Sequence, residues 1–170
     1  NAAKLVCEEL GVSESMFLDA IQTFKGASKR LELIKKRENS AIYKDFAHSP
    51  SKLKATTSAM KKQFPDMGLI ACIELHTFSS LNKEFLQQYS NCMDEPNIAI
   101  VYFSLTSITQ KKLNPINKSE VYTAFNRKDL IIFTDSNKLQ EYLHSIDWNH
   151  QNLLMMSSGN FDGIKFEDLI

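Results

Sequence analysis

The feature that most constrains this chain is a series of short, continuous apolar runs separated by amphipathic stretches. The runs are typical of strands and lie at 68–74, 97–103, 130–133 and 152–156. Apolar residues at helical spacing indicate helices at 50–64, 82–90, 118–125 and 136–146. Strands that are apolar along both faces belong to a mostly parallel sheet covered by helices on both sides. The sequence therefore predicts an α/β domain of the Rossmann-like, doubly wound class.

The first part of the chain follows a different pattern. Residues 30–36 alternate between apolar and polar side chains, which predicts an antiparallel strand at one edge of the sheet, and 40–46 form a second strand. Two helices are expected before them, at 3–10 and 14–24, with Ser13 as the N-cap of the second. Residues 104–117 have no clear periodicity and are expected to form a loop that could be mobile.

Length and charge limit the classes of function. The 170 residues suffice for one domain, and 20 Lys and Arg balance 20 Asp and Glu. Zero net charge argues against nucleic-acid or anionic-membrane partners, and no apolar stretch approaches the ~18 residues of a membrane span.

The three cysteines are too few for a disulfide framework or a zinc site, and Cys72 is expected to be buried. The chain begins with Asn, so we expect an excised piece of a longer cytoplasmic protein.

Polar residues follow three of the predicted strands. They are Asp45 and His48 after the second strand, His76, Thr77 and Ser79 after the third, and Ser157, Ser158 and Gly159 after the last. Ligands of such sheets bind beyond the carboxyl ends of the strands. The sequence therefore predicts one binding rim made by all three groups.

Each group has two interpretations. Asp45 could accept hydrogen bonds from a ribose, or it could cap its turn, which is the commoner role of Asp. Arg30, beside Lys29, could meet a phosphate or be solvated. His76 fits a ligand-positioning or loop-packing role better than that of a general base. The glycine-flanked turn after 156 could direct N–H groups at a carboxylate or be a plain turn. The chain has no P-loop and no G-x-G-x-x-G.

Two motifs together resemble the C-terminal domain of the Mur ligases. Asp45-Phe46-Ala47-His48-Ser49-Pro50 resembles that family's D-[YF]-[AG]-H-x-P signature, and Ala55-Thr56 follow it in the next helix. Phe24-x-Gly26-x-x-Lys29-Arg30-Leu31-Glu32 is similar to the family's F-x-G-x-x-R-R-[FL]-E segment. The motifs stand in the family's order, and the resemblance covers essentially the whole chain.

Within the family, the ending Met155–Ile164 looks most similar to the M-S-N-G-x-F-x-G-I ending of murein peptide ligases. The resemblance implies an ATP-dependent, ADP-forming ligase. It would activate UDP-N-acetylmuramate as an acyl phosphate and join it to a recycled L-Ala-γ-D-Glu-meso-diaminopimelate peptide in peptidoglycan recycling. The alternatives are the ligase that adds L-alanine, since Leu75–Ser79 also resembles its P-H-x-[YF]-[ST] segment, and a non-catalytic peptide-binding module of the same fold.

The resemblance also implies residue roles. Arg30, Asp45 and His48 would contact the nucleotide. The residues that would line the amine side are His76, Phe78, Ser79, Ser157, Ser158, Gly159 and Phe161. The triphosphate and Mg²⁺ would be held mainly by a central domain outside this chain, so residues 26–170 alone would be inactive and would contain no catalytic residue or metal ligand. Residues 1–25 would be a helical lead-in from that central domain, and the parent protein's central and N-terminal domains would be partners.

Three positions depart from the family pattern. Lys44 stands where many members have a second acid, and Asn160 replaces a frequent Gly. Ser80 stands where the alanine-adding enzymes usually carry Arg. Recognition of a substrate carboxylate by position 80 is therefore not expected.

Overall fold

A computed structural model describes residues 2–23 and 29–169. The described residues form one six-stranded sheet in the order β1-β2-β6-β3-β4-β5. Its strands are β1 (Glu32–Lys36), β2 (Ser40–Asp45), β3 (Gly68–Glu74), β4 (Ile98–Tyr102), β5 (Ile131–Phe133) and β6 (Gln151–Met156). All neighbours pair in parallel except β1, which is antiparallel to β2 at the edge. The predicted fold class is confirmed.

Helices connect the strands. They are α1 (Ala2–Glu9), α2 (Glu14–Ile21), α3 (Pro50–Gln63), α4 (Lys83–Leu86), α5 (Leu105–Gln110), α6 (Lys118–Phe125) and α7 (Ser136–His144). Short 3₁₀ turns follow at Gln87–Tyr89, Phe161–Gly163 and Phe166–Asp168. None of the helices within 2–23 and 29–169 is long and apolar enough to cross a membrane.

The apolar core lies on both faces of the sheet. Along β3, Leu69, Ala71 and Ile73 belong to one buried cluster, whereas Ile70 and Cys72 belong to a second. Residues of α3 and α6 complete the first cluster, and residues of α7 complete the second. This two-sided burial explains why β3 is a continuous apolar run rather than an alternating one. Cys72 is fully buried, as predicted.

Helix ends follow local chemistry. The Ser13 side chain accepts from the backbone N–H of Met16 at 3.3 Å, so the predicted N-cap of α2 is confirmed. Pro50 opens α3, where its missing N–H costs no helical hydrogen bond.

The main difference from the prediction lies in the segment 104–117. It contains α5, because the Ser104 side chain accepts from the N–H of Ser107 at 3.3 Å and Ile108 is buried beneath the helix. The expectation of a loop throughout this segment was wrong. Phe24 and Gly26 of the first family motif, and the last residues predicted for α2, lie outside the described residues.

Candidate functional site

The carboxyl ends of β2, β6 and β3 lie side by side, because these three strands are neighbours and run parallel. The three polar groups predicted from the sequence follow these ends and therefore share one rim. A backbone hydrogen bond joins two of them, since the N–H of Ser157 donates to the carbonyl of Asp45 at 3.0 Å. The predicted convergence is confirmed.

The Asp45 side chain of the first group accepts hydrogen bonds from the backbone on both of its oxygens. Its side chain is buried, with Oδ1 accepting from the N–H of Ala47 at 2.7 Å and Oδ2 accepting from the N–H of Leu31 at 2.9 Å. The carboxylate thus caps the turn after β2, which is the commoner of the two interpretations. It also holds Leu31, which has a positive φ of 45°. The observed contacts of Asp45 are therefore structural.

Arg30 lies beside this turn and is exposed. Its guanidinium carbon stands 5.6 Å from the centroid of the Phe46 ring, a cation–π geometry. The N–H of Phe46 donates to the carbonyl of Lys29 at 2.9 Å, which ties the segment carrying Arg30 to the end of β2. The arrangement presents a planar cation at the rim, and such a cation can pair with phosphate in bidentate fashion.

His48 belongs to the same turn and is half-buried. Its Nδ1 donates to the carbonyl of Phe46 at 2.8 Å, and its ring meets the Phe46 ring edge-on at 5.0 Å. The Tyr89 hydroxyl donates to the carbonyl of His48 at 2.6 Å. With Nδ1 protonated, Nε2 of the neutral ring is an acceptor. His48 therefore helps to hold the turn, and its Nε2 has no partner in these contacts.

The second and third groups meet at a buried carboxylate. Glu74, the last residue of β3, is 1% exposed. Its Oε2 accepts from the Ser157 hydroxyl and from the N–H of Phe161 at 2.9 Å. Its Oε1 lies 3.5 Å from Nδ1 of His76. The turn after β6 does direct donors at a carboxylate, but that carboxylate belongs to the chain itself.

Gly159 fits between these groups because it has no side chain. A Cβ built at this position would lie 2.8 Å from Glu74 Oε2 and 2.8 Å from both Cγ and Nδ1 of His76. The N–H of Gly159 donates to the Ser157 hydroxyl oxygen at 2.6 Å. The close approach of backbone to His76 therefore requires glycine here.

The remaining predicted residues of the last loop are internal. The Phe161 ring is 1% exposed and stacks on Tyr102 at 5.9 Å. The Tyr102 hydroxyl donates to Asp162 at 2.6 Å, and burial together with this bond raises the pKa of Tyr102 above its usual range. The Ser158 hydroxyl is buried and has no hydrogen-bond partner among the described residues. Phe161 thus contributes its backbone, not its ring, to the rim.

Phe78 and Ser79 line an open cleft at the surface. The Phe78 side chain is 64% exposed, and Nζ of Lys111 stands 5.5 Å from its ring centroid. Both residues line an open cleft of about 560 Å³, together with Asn82 and Glu84. Ser80, in contrast, is internal: its hydroxyl donates to the carbonyl of Thr77 at 3.1 Å. Position 80 therefore offers nothing to a substrate carboxylate in this conformation.

Glu74 is the residue that the sequence prediction missed. A lone acid at the end of an apolar strand was the available signal, but its partners lie 83 and 87 residues away. Within the described ranges, 2–23 and 29–169, no group of three or more His, Cys, Asp or Glu side chains could hold a metal ion.

Known proteins are similar to this chain in sequence. UDP-N-acetylmuramate–L-alanine ligase of Sulfurihydrogenibium sp. is 36% identical over 96 residues, which is 56% of this chain and 21% of that enzyme. The same ligase of Agathobacter rectalis is 25% identical over 171 residues, covering 99% of this chain and 36% of the enzyme. No family model matches the chain.

Solved structures share the fold. A murein peptide ligase of Psychrobacter arcticus has a TM-score of 0.65 over 95% of this chain and 33% of its own, at 19% identity. UDP-N-acetylmuramate–alanine ligase of Thermotoga maritima gives 0.71 over 95% and 34%, at 14% identity. The chain matches a Mur ligase C-terminal domain. The chain spans about a fifth to a third of the length of the curated relatives named above.

Proposed function

We propose that this chain is the C-terminal domain of an ATP-dependent ligase that joins UDP-N-acetylmuramate to an amine substrate. The observation that carries the proposal is the shared rim, where Arg30 lies beside the turn after β2 and the loop around Gly159 follows the neighbouring strand β6. The relatives named above are ligases for UDP-N-acetylmuramate or murein peptides. One rim could thus receive the nucleotide at β2 and the amine at β3 and β6.

On the nucleotide side, Arg30 would contact phosphate or ribose, and its exposed guanidinium supports this role. His48 would offer the acceptor Nε2, and Asp45 would contribute by holding the turn, with its remaining lone pairs available to a ribose. ATP with Mg²⁺ supplies activation of the carboxylate by phosphoryl transfer. Because the sequence has no P-loop, another domain would hold the triphosphate and the metal, and this domain alone would not hydrolyse ATP.

On the amine side, His76 and the Ser157–Phe161 loop would orient the nucleophile, with Phe78 and Ser79 at the mouth. The finer assignment is a murein peptide, used in peptidoglycan recycling. Ser80 favours the murein peptide over L-alanine. It is buried and stands where the alanine-adding enzymes usually carry Arg, so position 80 supplies no cation for the carboxylate of a single amino acid. The open cleft beside Phe78 offers room for a longer substrate. The L-alanine ligase is the second candidate, favoured by the names of the similar sequences.

The remaining parts of the proposal concern the parent protein, which we place in the cytoplasm. Residues 1–25 would be the lead-in from the central domain, and 26–170 the C-terminal domain. The described part of the lead-in has no buried residue in α1 or α2, and its large apolar side chains are exposed at Leu5, Val6, Leu10, Met16, Leu18 and Ile21. Such a face is expected to pack against another domain. Closure of the domains would bring Arg30 to the nucleotide.

The test is ligation by the full-length protein carrying Arg30→Ala. We expect at least a tenfold loss, about the value of one charge-assisted hydrogen bond, with the folding of the domain unchanged. Lys36→Ala, which removes an exposed cation at the far end of β1, is the control. Activity equal to wild type in both Arg30→Ala and Asp45→Ala would refute the nucleotide side. Competition between L-alanine and the L-Ala-γ-D-Glu-meso-diaminopimelate peptide for ligation shows which of the two is the substrate.

A further inference from the structure

We infer that Glu74 is a positioning residue that holds His76 in a single tautomer. In that tautomer Nδ1–H faces the buried carboxylate, and Nε2 presents a lone pair on the accessible side of the ring. The acceptor would take a hydrogen bond from the N–H of the incoming amine. Only this last step rests on the proposed function. The tautomer itself follows from the contacts of Glu74.

The carboxylate of Glu74 is divided between two neighbours. Oε2 accepts from the Ser157 hydroxyl and the N–H of Phe161, both in the loop after β6. Oε1 is left facing Nδ1 of His76 at 3.5 Å. At 1% exposure the carboxylate has almost no water to satisfy it, and a buried charge requires donors. Nδ1–H of His76 is the donor placed to serve Oε1.

The two nitrogens of His76 have different surroundings. Nδ1 is buried and has no closer hydrogen-bond partner among the described residues, whereas the side chain as a whole is 32% exposed. A lone pair on Nδ1 would face the carboxylate oxygen and be repelled by it. The proton therefore sits on Nδ1. In a neutral imidazole the other nitrogen is then an acceptor. At 3.5 Å the contact is longer than a good hydrogen bond, so it orients His76 by charge.

The loop after β6 also fixes the ring. Gly159 lies so close to His76 that a Cβ there would approach Cγ and Nδ1 to 2.8 Å. The same loop is tied to Glu74 through Ser157 and Phe161. Glu74 thus joins the end of β3 to the end of β6, and the direction of Nε2 depends on that link. No adjustment by the substrate is needed to set the tautomer.

Glu74→Gln tests the inference, because it keeps the shape of the side chain but replaces the acceptor that faces Nδ1 of His76 with a donor. The N–H of Phe161 can only donate, so the amide oxygen of Gln must remain on its side. The amide NH₂ then faces Nδ1 of His76, and the ring must move its proton to Nε2. Nitrogen-15 NMR of histidine distinguishes the two tautomers directly. The spectra are recorded on this chain well above pH ~6.5, the usual histidine pKa, and His76→Asn assigns the signal.

We expect Nδ1–H in the wild type and Nε2–H in Glu74→Gln. Glu141→Gln, the same change on the exposed face of α7, should leave the His76 signals unaltered. Nε2–H in the wild type, or an unchanged tautomer in a folded Glu74→Gln variant, would overturn the inference. If Glu74→Gln does not fold, the wild-type spectrum still decides.

The contact with substrate is tested separately in the full-length protein. Glu74→Gln should raise the KM of the amine substrate about tenfold, the effect of one such hydrogen bond, with the KM of ATP unchanged. An unchanged amine KM would remove the amine as the partner of Nε2. The tautomer measurement needs no ligase activity, so a failure of the proposed function cannot be mistaken for a failure of the tautomer.

Discussion

The backbone N–H of Leu31 donates a 2.9 Å hydrogen bond to Oδ2 of Asp45, 14 residues further along the chain. This bond joins the segment before β1 to the turn after β2. It sets where Arg30, the neighbour of Leu31, stands relative to the rim. A carboxylate expected to touch nucleotide is thus first a structural link between two pieces of the candidate site.

Removing that carboxylate should destabilise the fold. Asp45→Ala leaves the N–H groups of Ala47 and Leu31 without their acceptor, which we expect to cost about 2–4 kcal/mol of unfolding free energy. Urea unfolding of this chain measures the loss. Asp45→Asn, which keeps one oxygen, should lose less. Equal stability of Asp45→Ala and wild type would show that the two bonds contribute little.

Gly159→Ala should disturb the junction of β3 and β6. The added Cβ would approach Glu74 and His76 to 2.8 Å, and the loop must shift to relieve the clash. We expect a loss of about 1–3 kcal/mol, the usual cost of overpacking. Urea unfolding measures it, and Asn160→Ala, at the exposed neighbouring position, should change stability by less than about 0.5 kcal/mol. Equal effects of the two substitutions would contradict the close approach.

Arg127 offers a prediction away from the rim. Its guanidinium donates to the carbonyls of Met93, Pro96 and Asn97 and pairs with Asp129 through two bonds of 2.8 and 3.0 Å. Lys cannot reproduce this planar fork. We expect Arg127→Lys to lower the melting temperature, with a free-energy loss of about 1–3 kcal/mol.

The matched control for Arg127→Lys is Arg37→Lys, at an exposed position between β1 and β2. It should leave the melting temperature unchanged. In the full-length protein, the proposed ligation per folded molecule should also stay at the wild-type value in Arg127→Lys, because Arg127 lies away from the candidate site. A melting temperature equal to wild type in Arg127→Lys would show that the fork is not needed.

Thiol chemistry tests the two-sided core. Burial, with the charge of Glu74, raises the pKa of Cys72 well above its usual range, and burial raises the pKa of Cys92. A chromogenic disulfide reagent at pH 8 should therefore modify partly exposed Cys7 quickly and the other two only through opening of the fold. Cys7→Ser should abolish the fast phase. Three thiols reacting at one rate would contradict the burial.

The same pKa shift sets a pH dependence. The unfolded thiol ionises near pH ~8.5, while the folded Cys72 keeps its proton, so ionisation favours the unfolded chain. Stability is full below that pH and declines as the pH rises above it. Burial also raises the pKa values of the Tyr89 and Tyr102 phenols, so their ionisation favours the unfolded chain in the same way. Urea unfolding at pH 7 and pH 10 measures the decline, and equal stability at both would contradict it.

Much of the fold could be predicted because its strands are buried on both faces. β3 and β6 are continuous apolar runs for that reason, and the end of each run located the rim. The helix α5 escaped prediction because it has little helical periodicity of its own: Leu105 is exposed, and the helix is held by the Ser104 cap and by burial of Ser107 and Ile108.

The details of the site could be predicted only in part. The residue types at the rim followed from the strand ends, but the choice between ligand and cap for Asp45 depended on where Leu31 lies. The link from Glu74 to Ser157 depends on which strands are neighbours, and strand order cannot be read from periodicity. The role of Asp45 and the link from Glu74 to Ser157 both depend on contacts between residues far apart in the chain, which local sequence preference does not determine.

The position of β6 has a consequence for folding during synthesis. β6 is the last strand along the described chain, yet it lies between β2 and β3 in the middle of the sheet. Until residue 156 has left the ribosome, the hairpin of β1 and β2 has no neighbour to pair with, and β3 exposes one open edge. Such distant pairing is intrinsically slow. The donors to the carboxylate of Glu74, Ser157 and Phe161, follow β6 in the chain, so this part of the candidate site cannot assemble before the last described strand has been synthesised.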